Sequence, residues 1–214
     1  MTGTLSALLI EAAARLKDAS DSPRLDAELL LAHALGRERS YLHAHPEMRL
    51  ESAEARAFEQ LLAARSRGEP IAHLTSKREF WSLPLTVTPA TLIPRPETEL
   101  LVELALERIP QGSDSTLLDL GTGSGAVALA VAKERPRCRV TATERSPEAL
   151  HVAIRNAAML GMGNIEFLEG DWYVPLPDRR FKVIVSNPPY VRDDDPHLAT
   201  GDVRFEPRTA LAAG

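Results

Sequence analysis

Apolar residues recur at intervals of three and four positions through the first third of the chain, which is the spacing of one buried helix face. The predicted helices cover residues 5–18, 22–36, 40–45 and 51–67. Ser22-Pro23 suits a capped first turn, Ser40 suits the cap of the third helix, and Gly36 suits a helix end. The pattern predicts a helical domain over residues 1–75 without a cluster of catalytic side chains.

The pattern changes between residues 77 and 88, where aromatic and β-branched residues flank Ser82-Leu83-Pro84. Such a sequence predicts a β-hairpin, and we expect it to form a linker over residues 76–91. The next segment, LIPRPETEL, contains two prolines that favour an extended backbone. A helix is predicted to begin near Pro96 and to end at about Arg108.

From residue 116 onward, apolar strands alternate with helices. The predicted strands begin at residues 116, 139, 165 and 181, and the third of them includes Trp172. This alternation predicts a parallel sheet with right-handed crossovers, in a doubly wound, Rossmann-like α/β domain over residues 92–214. Ligands of such sheets bind at the carboxyl ends of strands, near a switch in strand order. The unusual residues of this domain all lie at such ends.

The composition, 44% hydrophobic and 26% charged over 214 residues, indicates a globular chain. No apolar run approaches the roughly 20 residues of a membrane helix, and the N-terminus lacks the basic leader of a secretory signal. The single cysteine, Cys138, cannot form an internal disulfide, so we expect a cytoplasmic protein. The scattered histidines offer no ligand spacing, so no metal site is expected. We expect a monomer.

The charge balance bears on nucleic-acid binding. The chain carries 25 Lys and Arg against 30 Asp and Glu, a formal net charge of −5. Nonspecific nucleic-acid binding depends on clustered cations that replace the counterions of the phosphates. Because neither half of the chain is basic, we expect neither a stable nucleic-acid partner nor a membrane partner.

A glycine-rich loop, DLGTGSG, follows the first strand of the α/β domain. It lacks the Gly-Lys-Ser/Thr ending of a P-loop, which argues against nucleotide triphosphate hydrolysis. Glycines would let a ligand approach the backbone closely, although a turn of this kind can also be purely structural. The candidate ligand-binding residues of the loop are Gly121, Thr122, Gly123, Ser124 and Gly125.

Acidic and aromatic residues end the next two strands. Glu144 follows the loop by roughly 20 residues, where a carboxylate can accept hydrogen bonds from both ribose hydroxyls. Asp171 and Trp172 offer an acceptor and an aromatic wall for an adenine ring. The plainer interpretations are a solvated charge for Glu144 and a half-buried core aromatic for Trp172. The occurrence of the glycine loop and both residues at successive strand ends favours a nucleoside ligand. A dinucleotide and S-adenosylmethionine both fit, and the Gly-x-Gly-x-Gly spacing favours S-adenosylmethionine.

The fourth strand ends in Asn187, Pro188, Pro189 and Tyr190. A planar nitrogen, as in a carboxamide or a base amine, is a poor nucleophile because its lone pair is delocalised. Acceptors for its two N–H bonds orient that lone pair and favour the pyramidal nitrogen of the transition state. Asn187 would supply a side-chain carbonyl, Pro188 a main-chain carbonyl, and Tyr190 a ring against the flat group. The motif therefore predicts methylation of a planar nitrogen; the plainer interpretation is a strand that two prolines end.

The segments GTGSG, TATE, GDW and VSNPPY, with LIPRPETE before them and DPHL and GDVRFEPRTAL after them, resemble the HemK/PrmC family of protein-(glutamine-N5) methyltransferases. The likeness covers nearly the whole chain. It implies S-adenosyl-L-methionine as methyl donor. As substrate it implies the glutamine of the Gly-Gly-Gln motif in class-I peptide-chain release factors, with the helical domain in substrate recognition.

The same resemblance implies a role for individual residues of the site. It implies a site for the methyl donor at Gly121 to Gly125, Glu144 and Trp172, and a substrate site at Asn187 to Tyr190. From their positions at strand ends, Asp171 and Asn187 are further candidate contacts of the methyl donor. Of these residues, Asn187, Pro188 and Tyr190 are the candidate catalytic ones. Arg95 and Glu97 lie, by the same likeness, in a segment over the active site.

Two alternatives stay open on the sequence alone. A nucleic-acid amino-methyltransferase acting on adenine or guanine would use the same four-residue motif, but it must extract its base and hold an anionic backbone. The family's catalytic domain continues past the residues that this chain matches. We therefore expect a methyltransferase domain that is incomplete at its C-terminus, and a truncated, non-catalytic binding form is the second alternative.

Overall fold

The protein forms two units, Met1–Ser76 and Lys77–Gly214, in a computed structural model that describes residues 3–213. Each unit encloses an apolar core of its own. The structure places the β-hairpin in the second unit. The substrate-recognition role expected for the helical part stays a prediction.

The first unit consists of short helices. They are α1 (Leu5–Arg15), α2 (Pro23–Leu35), α3 (Arg39–Ala44), α4 (Ser52–Ser66) and α5 (Ile71–Thr75). Their apolar faces meet in a core where Leu5, Leu30 and Phe58 are fully buried. Helix α3 begins after Glu38, so the prediction that Ser40 caps it is wrong, and Ser40 lies within the helix. The sequence pattern missed α5 because five residues are too few to show a helical period.

Two carboxylates on α2 are buried because each has cationic partners. Asp26 accepts a hydrogen bond from Nε of Arg65 at 2.7 Å. Glu28 accepts from Arg24 at 2.8 Å and from Arg39 at 2.7 Å. Buried charges are tolerated when they are paired in this way, and the pairs explain why α2 presents polar residues to its neighbours.

The second unit begins with a hairpin of β1 (Lys77–Phe80) and β2 (Leu83–Thr86). Phe80 pairs with Leu83 across a two-residue turn. Both turn residues, Trp81 and Ser82, have positive φ, as the type I′ turn that matches strand twist requires. The chain then passes through a short 3₁₀ turn at Pro96–Thr98 into α6 (Glu99–Arg108).

A four-stranded parallel sheet forms the centre of the second unit. Its strands are β3 (Thr116–Leu120), β4 (Arg139–Glu144), β5 (Ile165–Glu169) and β6 (Val183–Ser186), in the order β5-β4-β3-β6. Helix α7 (Ala126–Glu134) connects β3 to β4, and α8 (Pro147–Met159) connects β4 to β5. The strand order reverses between β3 and β6, which is where a ligand site is expected.

The two faces of the sheet are covered differently. Alternate residues such as Leu117 and Val140 pack in one core with residues of α6, α7 and α8. On the opposite face, Leu118 and Leu120 pack against Leu176, which lies in the connection between β5 and β6. The connections from β3 to β4 and from β4 to β5 cross the sheet in one direction, and the connection from β5 to β6 crosses it in the opposite direction. Because all such connections are right-handed, the last one lies on the opposite face of the sheet. Helices α6, α7 and α8 thus lie on one face of the sheet. The parallel strands and the reversal in their order confirm the predicted Rossmann-like α/β fold.

Asn156, on α8, joins the hairpin to the glycine loop. Its side chain accepts from the Thr86 amide at 2.8 Å and donates to the Thr86 carbonyl at 2.9 Å. It also donates to the carbonyl of Ser124 at 2.9 Å. Asn156 is fully buried, and these three bonds satisfy its amide group.

The helices were also compared with the length and composition of a membrane span. Among residues 3–213, no helix combines the length and the apolar composition needed to cross a membrane.

Candidate active site

A cavity of about 630 Å³ opens at the carboxyl ends of the parallel strands. Each strand contributes residues from its end or from the loop that follows: Asp119 and the glycine loop after β3, Glu144 from β4, Gly170 to Trp172 after β5, and Asn187 to Pro189 after β6. Because parallel strands run the same way, their carboxyl ends share one edge of the sheet. The structure therefore brings most of the sequence-predicted site residues into one cavity.

The glycine loop is held by the neighbouring strand. The amides of Gly121 and Thr122 both donate to the carbonyl of Thr143, at 2.9 and 3.0 Å. Gly121 and Gly123 have positive φ, and a Cβ at either position would meet nothing within 4 Å. The backbone of the loop is therefore open on the side where a ligand would approach.

Gly125 has a different environment from the other loop glycines. It is absent from the cavity lining. A Cβ there would lie 3.1 Å from Cδ1 of Leu129 and 3.2 Å from Cβ of Ala153. Glycine at this position thus permits the close approach of α7 and α8. The structure gives Gly125 a packing role, and its predicted contact with a ligand stays a prediction.

Asp119 is a site residue that sequence reasoning missed. Asp119 lines the cavity although the residue is only 2% exposed. Thr122 Oγ1 donates to Asp119 Oδ2 at 2.6 Å. Burial raises the pKa of Asp119 to about 6, and the charge of Glu144 acts in the same direction, whereas hydrogen bonds from Thr122 and the Ala128 amide oppose the shift. An acidic residue between two apolar ones at the end of β3 was the available sequence signal.

The raised pKa of Asp119 predicts a pH dependence of stability. Between pH 3.8, its ordinary pKa, and about 6, the folded protein keeps a proton that the unfolded chain releases. The contribution of Asp119 to the free energy of unfolding therefore falls as pH rises through this window and is constant above it. Urea unfolding of wild type and Asp119→Asn should show the variant gaining relative stability from pH 4 to 6. A stability difference that is the same at every pH would contradict this prediction.

Glu144 connects the β4 end to the two loops around it. Its Oε2 accepts from the amide of Gly123 at 2.9 Å, and its Oε1 accepts from the amide of Ser146 at 3.0 Å. Each carboxylate oxygen can accept more than one hydrogen bond, so acceptor capacity remains towards the cavity. The Glu144 side chain thus shapes the glycine loop in addition to facing the space where a ribose was predicted.

Asp171 and Trp172 line the cavity from the loop after β5. The strand ends at Glu169, so the prediction that it extends through Trp172 is wrong; the chain turns at Gly170, whose φ is +158°. Trp172 itself has a φ of +49° and is 41% exposed. Positive φ is strained for a bulky residue, and here it places the residue at the rim of the cavity.

Asn187, Pro188 and Pro189 reach the cavity from the end of β6, and Asn187 is half-buried there. The strand is held to β3 up to this point, with Ser186 Oγ donating to the Leu120 carbonyl at 2.9 Å. Tyr190 is 78% exposed and lies outside the cavity lining. The structure therefore brings three residues of the motif to the site and leaves the tyrosine ring in solvent.

The cavity has a further wall that the strand-end motifs did not predict. Leu92, Pro94 and Thr98 line it from the segment before α6, and Pro207 and Arg208 line it from the last part of the chain. Glu97 is absent from this lining, and Arg95 contacts Glu206 behind it. Within residues 3–213, no group of three or more His, Cys, Asp or Glu is arranged to hold a metal ion.

Comparisons with known proteins cover both units. The model of the PrmC N-terminal domain matches residues 7–75, and the model of the methyltransferase small domain matches residues 97–205. The release factor glutamine methyltransferase of Escherichia coli (strain K12) is 55% identical over 205 residues, which are 96% of this chain and 73% of that protein. The protein of the same name from Vibrio cholerae serotype O1 is 52% identical over all of this chain and 75% of its own length.

Among solved structures, a SAM-dependent methyltransferase from Aquifex aeolicus is 27% identical, and the match covers 43% of this chain and 51% of that one. Its TM-score is 0.37, so the assignment rests on the sequence matches. Identity above 50% across most of both chains leaves one conclusion: this chain belongs to the release factor glutamine methyltransferase family.

Proposed function

We propose that this chain transfers a methyl group from S-adenosyl-L-methionine to the side-chain amide nitrogen, N5, of a glutamine in a class-I peptide-chain release factor. The glutamine is that of the Gly-Gly-Gln motif. One observation carries the proposal: a single cavity is lined by the glycine loop and Glu144 on one side and by Asn187 and Pro188 on the other. In such a cavity the methyl donor and the glutamine amide that receives the methyl group can bind next to each other.

The residues present fit S-adenosylmethionine. The loop backbone at Gly121 and Gly123 has open space beside it, and Glu144 retains acceptor capacity for ribose hydroxyls. Trp172 offers a half-exposed ring for adenine, and Asp171 an adjacent acceptor. When bound, S-adenosylmethionine supplies an electrophilic methyl group on a sulfonium sulfur.

The proposed part of Asn187 is to prepare the nucleophile. Its side-chain carbonyl would accept one N–H of the glutamine amide, and the Pro188 carbonyl would accept the other. Two fixed acceptors turn the nitrogen lone pair towards the donor and stabilise the charge that the nitrogen gains during attack. Pro189 would hold this backbone rigid. Tyr190, exposed in this structure, would cover the flat amide once the substrate has entered.

We also propose that the helical unit recognises the release factor as a folded protein. The unit has its own core, and the family model of the N-terminal domain matches it over residues 7–75. Its role would be to bind surfaces remote from the glutamine and so to raise affinity for the intact substrate. A cytoplasmic location follows from such a substrate, because translation takes place in the cytoplasm.

The test is methyl transfer from labelled S-adenosylmethionine to four substrates: an intact release factor, the same factor with its motif glutamine replaced by alanine, a short Gly-Gly-Gln peptide, and DNA or RNA. Label should enter the intact factor and should be absent when the glutamine is absent. A chain that begins at Lys77 should label the peptide as wild type does but require about tenfold more of the intact factor, a cost of roughly 1.4 kcal/mol. Label in nucleic acid alone, or in none of the substrates, would refute the proposed function.

A further inference from the structure

Glu206 is a buried carboxylate that holds the segment before α6. Its side chain is 0% exposed. Oε2 of Glu206 accepts a hydrogen bond from the amide of Ile93 at 2.9 Å, and Oε1 accepts from Nη2 of Arg95. The Arg95 side chain is 35% exposed. Glu206 thus fixes both the backbone and a side chain of a segment that precedes it by more than a hundred residues.

The stretch that begins with Glu206 is also fastened to the loop after Asn187. The Val191 amide donates to the Leu211 carbonyl at 2.9 Å, and the Ala213 amide donates to the Val191 carbonyl at 2.9 Å. Nη2 of Arg208 donates to the Asp193 carbonyl at 2.8 Å. We call residues 206–213 the bracket, because one end holds the 92–95 segment and the other holds the chain that leaves the Asn-Pro-Pro-Tyr motif.

The first attachment adjoins a cavity wall, and the second is part of one, because Asp193, Arg208 and Ala213 line the cavity themselves. Pro94 lines the cavity beside Arg95, and Pro207 and Arg208 line it beside Glu206. The residues proposed to bind the substrate amide, Asn187 and Pro188, line the same cavity only a few positions before Val191. A displacement of the bracket would therefore move the cavity walls around the substrate. It would also move the loop that carries Asn187 and Pro188, the proposed hydrogen-bond acceptors for the substrate amide.

Stability alone is a poor explanation of an ion pair whose carboxylate is fully buried. Desolvation of two charges offsets much of their attraction, so an apolar pair of similar volume often stabilises a fold equally well. A buried carboxylate with two fixed donors instead specifies one geometry. We propose that Arg95 and Glu206 are positioning residues, which hold the bracket so that Asn187 and Pro188 meet the glutamine amide in a reactive orientation. This inference rests on the proposed function.

The part of the cavity proposed to bind S-adenosylmethionine is held by a separate set of hydrogen bonds. Gly121 and Thr122 are held by Thr143, and Gly123 by Glu144. None of these bonds involves the bracket. Loss of the Arg95–Glu206 pair should consequently affect methyl transfer more than binding of S-adenosylmethionine.

The experiment compares Arg95→Ala, Arg95→Lys and Glu206→Gln with wild type. The matched control is Arg137→Ala, which removes an exposed pair with Asp114 at the opposite, amino end of the strands. We expect Arg95→Ala and Glu206→Gln to lower kcat/KM for the release factor about tenfold or more, because small misplacements of reacting groups are costly. The Kd of S-adenosylmethionine should stay within about threefold. Arg95→Lys should recover part of the loss, and Arg137→Ala should match wild type.

A second measurement needs no substrate. Hydrogen exchange at the Val191 amide, which the bracket protects, should become faster in Glu206→Gln and stay unchanged in Arg137→Ala. The inference would be overturned if Arg95→Ala had the kcat/KM of wild type, or if its affinity for S-adenosylmethionine fell as much as its kcat/KM. Unchanged hydrogen exchange at the Val191 amide in Glu206→Gln would also overturn it. Failure of wild type to methylate any release factor would refute the proposed function instead, and the exchange result would still decide whether Glu206 holds the loop.

Discussion

Replacing Asn187 with alanine is expected to lower the rate of glutamine methylation about 10²- to 10³-fold, which is typical for the loss of one preorganised hydrogen-bond partner. The side chain lines the cavity at the end of β6, and its carbonyl is the proposed acceptor for one N–H of the substrate amide. Without it, that N–H is left unpaired and the nitrogen lone pair is no longer oriented. The Kd of S-adenosylmethionine should change by less than about threefold. Single-turnover methylation and calorimetry measure the two quantities separately.

Asn187→Asp sharpens the test. Aspartate keeps an acceptor of similar shape and adds a negative charge, so we expect measurable methylation above that of the alanine variant. If Asn187→Ala methylates a release factor at the wild-type rate, the proposed mechanism fails, and the motif is then only a strand end formed by two prolines.

Glu144→Ala should have the second large effect, on binding of S-adenosylmethionine. Loss of charge-assisted hydrogen bonds to ribose costs about 1.5–3 kcal/mol, which is at least about tenfold in Kd. The alanine variant also loses the acceptor that holds the amides of Gly123 and Ser146, so the loop loses part of its preorganisation. Titration calorimetry measures the affinity, and Glu107→Ala, at an exposed position on α6, is the control.

Glu144→Gln separates the two contributions of Glu144. Glutamine retains one carbonyl oxygen and replaces the other acceptor by a donor, so it can hold only one of the two amides. We expect an affinity between those of wild type and Glu144→Ala. An affinity unchanged in Glu144→Ala would remove Glu144 from the donor site.

Sequence reasoning succeeded where a residue's position follows from local pattern. Glu144 and Asn187 end apolar strands, and parallel strands must bring such ends together. It failed where the environment depends on residues distant in sequence: the pair of Glu206 with Arg95 spans 111 positions, and no local pattern announces it. The burial that raises the pKa of Asp119 is likewise a tertiary effect. The loop glycines look alike in sequence, and only the structure shows that Gly125 also lies against Leu129 and Ala153.

Asn156 should be intolerant to substitution although it does not line the cavity. Its amide exchanges two hydrogen bonds with Thr86, as a residue of a neighbouring strand would, and donates a further one to Ser124. Aspartate would turn an oxygen atom towards two carbonyls, and leucine would remove the partner of three backbone groups, two on Thr86 and one on Ser124. In a mutational scan scored by activity, Asn156 should therefore resemble an active-site residue, and only a stability measurement would distinguish it from one.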